Sequence, residues 1–407
     1  MHGKALAGSF AVVTLLTACS GSAGSHPRAA ATHTAVAPPV AVPAPPVSGS
    51  GPACSQKAAG APPLRKVRTG ELTGLAAPWG VVASADGRWA FASVTTGLAV
   101  LSTTGFEPKL VRTINLTGAL GDAGPEGLAI TPNGQYVLLT EGTGAVVFSV
   151  ARAENGSANP VLGALSSSNN GATMVAISPD SKFAFVSIEY GNEVAVYNLA
   201  EALAHGFGPR DFVGNIPLNE TAVGVAVSPD GRWLYATTEQ SANDQGTLSV
   251  INLAKAETDP ARSVVATADA GCGAVRVITS ANGHDVWVTA RESDALLLFS
   301  AAKLVSDPAH ALITWIRVGE APVDLALVRD GTRLIVGNSN RFTVPGQKAG
   351  LSVVNVADVL AGKPAVLGSI GSGLFPRQLT PEPNGKTLLV ANYNSDEIES
   401  VDVAGIP

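Results

Sequence analysis

Short apolar runs, each broken by a two-residue polar turn, recur along the chain from Gly80 onward. Gly80-Val-Val-Ala-Ser precedes Asp86-Gly87, and Trp89-Ala-Phe-Ala-Ser follows it. The same arrangement returns at Asn133-Gly134, Asp180-Ser181, Asp230-Gly231, Asn282-Gly283, Asp330-Gly331 and Asn384-Gly385, at intervals of 47 to 54 residues. Two apolar runs flanking an Asp-Gly or Asn-Gly pair predict a β-hairpin, because those residues accept the backbone twist a tight turn demands. A third run follows in each unit, as at Thr247–Leu253 and Leu351–Val356. A fourth can be drawn at Leu110–Asn115, Asp211–Ile216, Leu312–Val318 and Ala365–Ile370.

Four antiparallel strands repeated seven times predict an all-β, seven-bladed β-propeller over residues 64–407. The seventh unit ends after its third strand, at Ile398–Val403. Leu64–Thr69 is therefore expected to supply the missing strand from the other end of the chain and close the ring. Closure would leave few sheet edges open to aggregation. An open solenoid is the competing architecture, but nothing in the sequence caps its ends.

The segment before the repeats has a different character. Residues 1–18 place one lysine before an apolar stretch, too short to span a bilayer but suited to a secretory signal. The stretch ends in Leu16-Thr17-Ala18-Cys19, which resembles a bacterial lipobox. That resemblance implies acylation of Cys19, which would become the first residue of an exported protein anchored to the cell envelope by its lipid. Residues 19–63 are rich in proline and alanine and lack aromatic residues, as expected of a disordered tether. Once Cys19 is lipidated, Cys54 and Cys272 remain. They are either a disulfide pair in an oxidising compartment or two free thiols.

Composition narrows the function. The chain is 46% hydrophobic and only 14% charged, against an average near 25%, and its formal net charge is −6. Nucleic acid, which requires a basic face, is excluded as a first reading.

Two stretches, SPDGRWLYATTEQ at Ser228–Gln240 and LLVANYNSDEIESVDV at Leu388–Val403, resemble the YVTN-type β-propeller repeat. That family overlaps the seven-bladed lactonase family, which includes bacterial 6-phosphogluconolactonase-like proteins. The resemblance implies a propeller and, as one option, hydrolysis of a lactone.

Function on a propeller sits on loops around the axial pore. Aligning the units by their turns gives an innermost column of Gly80, Gly127, Met174, Gly224, Arg276, Asp324 and Gln378. The column before it reads Trp79, Glu126, Thr173, Val223, Val275, Val323 and Arg377. Glu126, Arg276, Asp324, Arg377 and Gln378 are thus expected at the pore mouth, with Glu141, Arg291, Asn338 and Asn392 around them. Arg276 and Asp324 occupy equivalent places on adjacent blades, so they either fasten those blades or bind an anionic or sugar-like ligand.

Glu126 or Glu141 is the candidate general base of a lactone hydrolase, with arginine stabilising the oxyanion. The histidines of the repeats, His205, His284 and His310, map to the opposite face, so no histidine-based triad can be drawn. No Cys/His set has zinc spacing and no acidic run has calcium-loop spacing, so neither metal nor cofactor is expected. The expected function is an envelope binding or interaction protein, acting as a monomer on a small ligand or an envelope protein. The alternative is a lactonase.

Overall fold

A computed structural model describes residues 51–54, 57–116, 124–240, 245–343 and 348–407. The signal segment 1–18, Cys19 and most of the tether lie outside the described residues. Seven four-stranded antiparallel sheets are present, six of them hydrogen-bonded in sequence order from the innermost strand outward. The first blade runs Val81–Ala83, Trp89–Val94, Gly97–Ser102 and Lys109–Asn115. In the seventh, Pro376–Pro381, Thr387–Asn392 and Glu397–Asp402 are completed by Thr69–Thr73, whose residues pair from Thr69 with Val401 to Thr73 with Glu397. The ring is therefore closed by an N-terminal strand, but that strand begins where the sequence reading placed its end. Leu64 instead bonds to Ser369 at the outer edge of the sixth blade, and Val67 is buried between the sixth and seventh.

The turns owe their shape to side chains. In the first blade Ser84 Oγ donates to Asp86 Oδ1 at 2.6 Å, and the same oxygen accepts the Arg88 amide at 3.0 Å while Gly87 takes φ +66°. Asp180 and Asp230 repeat this with Ser178 and Ser228. Apolar faces of neighbouring blades pack on one another, with Phe91, Phe148, Phe185, Tyr197, Tyr235, Trp287 and Phe299 almost fully buried.

Short helices join the third and fourth strands of blades two to six. They cover Val150–Glu154, Leu199–His205, Leu253–Ala256, Ala301–Ser306 and Val356–Leu360. Strand periodicity alone did not predict them. Their signal is the serine or asparagine ending each third strand, which caps the helix: Asn198 Oδ1 accepts the Glu201 amide at 2.9 Å, and Asn252 Oδ1 that of Lys255 at 2.9 Å.

A repeated hydroxyl fastens the inner strands of blades one to four to the next blade. Thirteen residues after the innermost column stand Ser93, Thr140, Ser187, Thr237 and Thr289. Ser187 Oγ accepts the Met174 amide of its own blade at 2.9 Å and donates to the Val223 carbonyl of the next at 2.7 Å. Ser93 bridges Gly80 to Glu126 and Thr237 bridges Gly224 to Val275 in the same way. Blades six and seven carry Gly337 and Ala391 at that position; there Asp324 Oδ2 accepts the Leu379 amide of blade seven, and Thr380 Oγ1 donates to the Val81 carbonyl of blade one.

Residues preceding the first strand also touch the ring. Cys54 and Cys272 are joined by a disulfide, with their Cα atoms 5.1 Å apart. The Ala59 amide donates to the Val318 carbonyl at 2.7 Å, and Pro62 and Leu64 bracket Ser369. This strap runs from the start of blade five to the edge of blade six.

Candidate functional site

One end of the pore is lined by the residues entering the innermost strands and by those just after the second strands. Two arginines meet one tryptophan there: Arg276 Cζ and Arg377 Cζ each lie 4.9 Å from the Trp79 ring centre. Trp79 stands before the first inner strand, is 3% exposed, and belongs to one apolar cluster with Met174 and Val225, against which Tyr393 packs. Arg377 also stacks on Phe375 at 4.5 Å and approaches Tyr393 at 5.8 Å. Contacts of this kind hold a guanidinium where water is scarce. Phe375 adopts φ +61°, a costly conformation for a bulky residue and one that gathers at functional sites.

Arg276 is buried and pairs with Asp324 across the interface of blades five and six, Nε to Oδ1 3.7 Å. Asp324 Oδ2 accepts the Leu379 amide of blade seven at 2.6 Å. Burial pushes the Asp324 carboxyl up to about 6, against the pull of Arg276. Burial likewise lowers Arg276. At 3.7 Å the ion pair leaves Arg276 Nε and Nη1 without a hydrogen-bond partner among the described residues. Arg377 Nε is unpartnered too, and burial, with Arg276 beside it, brings this arginine down to about 10.

Glu126 is half-buried at the mouth. Burial raises its carboxyl to about 7; the charge of Glu189 adds to the rise, while Arg377, Arg276 and the Thr173 hydroxyl oppose it. Gln378 is not a mouth residue. It reaches into the pore wall, where its Oε1 accepts the Leu128 amide at 3.4 Å and its Nε2 donates to the Leu128 carbonyl at 3.2 Å.

The ring of residues expected after the second strands divides. Arg291 lies at the mouth, bound by two bonds to Glu239, Nη1–Oε1 2.7 Å and Nη2–Oε2 3.1 Å. Asn338 and Asn392 point into their own blades: Asn338 Nδ2 donates to Ser352 Oγ at 3.0 Å, and Asn392 Nδ2 to Glu397 Oε1 at 2.8 Å. Glu141, the last residue of its strand like those two, is buried with Oε2 unpartnered, and burial raises its carboxyl.

Three mouth residues escaped the sequence reading: Glu189, Glu239 and Arg341. Glu189 and Glu239 each stand two residues after the bridging hydroxyl, as Arg291 does. That offset is the signal that finds them. Burial raises Glu189, and Arg341 on the rim is lowered by the partial burial of its side chain and by Arg291. Among the described residues no group of three or more His, Cys, Asp or Glu is placed to hold a metal, and no helix is long and apolar enough to cross a membrane.

Cavities on the opposite face are lined by turn residues such as Asn282, Asp330 and Gly385 and by apolar side chains such as Leu327 and Leu360. A groove beside the mouth, between blades six and seven, shares Arg341 and Phe375 with it. The arginine–aromatic cluster is the stronger candidate, because three buried N–H groups of Arg276 and Arg377 stand there without partners among the described residues, where the opposite-face cavity has Trp287 Nε1.

No family profile matches the sequence, and no curated protein matches it. Among solved structures the chain is similar to Kuenenia stuttgartiensis hydrazine synthase, with a TM-score of 0.65 and 16% identity over 82% of this chain and 97% of that one. At this identity the likeness establishes the seven-bladed propeller fold.

Proposed function

We propose that the protein is an exported propeller, held to the cell envelope through a lipid on Cys19, that binds a small anionic ligand at the pore mouth. One observation carries the reading. Arg276 is buried beside Trp79 with Nε and Nη1 unpartnered, and Arg377 stacks over the same ring. Buried donors without acceptors cost stability, and an acceptor-rich anion supplies what they lack, guanidinium–carboxylate bonds being among the stronger ones available. Calorimetric titration with sugar acids, dicarboxylates and inorganic phosphate tests the assignment. Heat of binding that vanishes in Arg377→Ala supports it, and the absence of binding by every anion overturns it. Membrane fractionation of Cys19→Ala tests the anchor, which is refuted if the variant partitions like the native chain.

A second reading, lactone hydrolysis, is favoured by Glu126. Its carboxyl titrates near neutrality beside two arginines, the setting in which a carboxylate serves as general base toward water and guanidinium groups stabilise the oxyanion. A pH-stat assay over sugar lactones decides it: turnover abolished in Glu126→Gln supports hydrolysis.

A further inference from the structure

The charged residues of the mouth are sorted by blade. Glu126, Glu189 and Glu239 come from blades two, three and four, whereas Arg276, Arg291, Arg341 and Arg377 come from blades five, six and seven, together with two carboxylates already paired to arginine, Glu292 and Asp324. Two arginines are paired within the wall: Arg291 with Glu239 and Glu292, and Arg276 with Asp324. Glu126 and Glu189 remain on one arc and Arg377 and Arg341 on the other, none of the four within 4.0 Å of an opposite charge in the described residues. Arg276 keeps its two unpartnered N–H groups on the basic arc. Half-buried Tyr393 lies beside Arg377 and offers an apolar surface, while Trp79, against both arginines, is buried.

We infer that the mouth accepts a zwitterion, a small molecule with a carboxylate and an ammonium group joined by a short apolar stretch. The carboxylate would meet Arg276 and Arg377, and the ammonium Glu126 and Glu189. This inference rests on the mouth being a ligand site, and it narrows the class of ligand. A simple anion must tolerate the two carboxylates, and a simple cation the two arginines, so each carries a penalty that the zwitterion avoids. Selection of this sort comes from mismatched charge as much as from matched charge. The ammonium also relieves the mutual repulsion of Glu126 and Glu189, which contributes to the raised Glu126 carboxyl.

The test is calorimetric titration of the full chain at pH 8 and low salt with glycine, β-alanine, 4-aminobutyrate and 6-aminohexanoate. Each is set against the alkanoate and the alkylamine of matched length. The expected result is one amino acid binding at least about tenfold tighter than both of its matched ions, the factor worth one step on the affinity scale. Glu126→Gln/Glu189→Gln should erase that preference while the alkanoate binds as well as before or better. Circular dichroism melts establish that the variant is folded, and the single variant Glu189→Gln, expected to lose part of the preference, serves if the double does not fold. Alkanoates binding as tightly as the amino acids would refute the zwitterion and leave the anion site standing. Silence from all three series, with sugar acids or phosphate still binding, would do the same; silence from every ligand would refute both readings.

Discussion

Gln378 of the seventh blade passes over Gly80 of the first to bond both backbone groups of Leu128 in the second. A Cβ placed on Gly80 would lie 2.5 Å from Gln378 Oε1 and 3.1 Å from the Glu126 carbonyl. The small residue thus serves a side chain from another blade. Gly80→Ala should cost about 1–3 kcal/mol, the range for overpacking a tight interior, read by denaturant unfolding. Part of that loss should return in Gly80→Ala/Gln378→Ala, where the closest of these contacts has been removed and the Glu126 carbonyl remains. Additive losses would show that the two residues do not interact.

Asp324 ties three blades together, through Arg276 on one side and the Leu379 amide on the other. Asp324→Ala strands a buried guanidinium and should cost about 3–5 kcal/mol, as broken buried pairs do. Asp324→Asn keeps an acceptor for the Leu379 amide and should lose less. Equal melting temperatures for the two variants would mean that charge, not the bond to Leu379, is what Asp324 contributes.

The frame of this protein was readable from its sequence because turns and strands rest on local chemistry. Asp-Gly and Asn-Gly pairs shape the hairpins wherever they occur, and alternation of apolar residues follows the pleat. The closing strand was displaced because Leu64–Thr69 and Thr69–Thr73 both suit a strand; only pairing with Glu397–Val401, which lies more than 320 residues away, selects between them. The mouth was half readable. Residues entering the inner strands could be aligned from the turns, but Glu141, Asn338 and Asn392 lie one position out of phase with Arg291. Asn338 and Asn392 still belong to their strands and bond within their blades, whereas Glu189, Glu239 and Arg291 stand just past the strand ends, where the alternation that places strand side chains no longer applies.

Acidification should stabilise the fold. Burial raises Asp324 to about 6 and Glu126, Glu320 and Glu399 to about 7, whereas unfolded carboxyls titrate near 4. Between those values the folded chain holds protons that the unfolded chain has released, so stability falls as pH rises through this window. Asp86, lowered to about 2, acts in the opposite sense only below the unfolded range. Melting temperature should be higher at pH 5 than at pH 8, and Glu399→Gln should flatten the slope. A melting temperature that rises from pH 5 to pH 8 would contradict the assignment.

The Cys54–Cys272 bond spans 218 residues. Cross-links closing long loops restrict the unfolded chain and typically contribute about 2–5 kcal/mol. Reduction should lower the melting temperature while the far-ultraviolet β signature persists at 25 °C, because Thr69–Thr73 still closes the ring through its own ladder. Collapse of that signature on reduction would mean that the strap, rather than the closing strand, holds the ends together.

Arg377 and Arg276 stack against the same indole, but they differ in what their removal leaves behind. Arg276→Ala strands the buried Asp324 carboxylate, whereas Arg377 has no ion pair within 4.0 Å among the described residues and lies near the like charges of Arg276, Arg341 and Arg291. Arg377→Ala should therefore change stability little, since lost packing on Trp79 and Phe375 is offset by relief of repulsion. Arg377 also holds the Glu126 carboxyl down, so its removal should move that carboxyl further up. Carbon-detected NMR titration of the glutamate carboxyls in native and Arg377→Ala protein reads this directly, and Glu126→Gln identifies the signal. The affected carboxyl faces Glu189, Arg276, Arg377 and the Thr173 hydroxyl, so Arg276 remains to oppose the rise and the upward shift should be partial. A Glu126 midpoint unmoved by Arg377→Ala would show that the two groups do not share one electrostatic site.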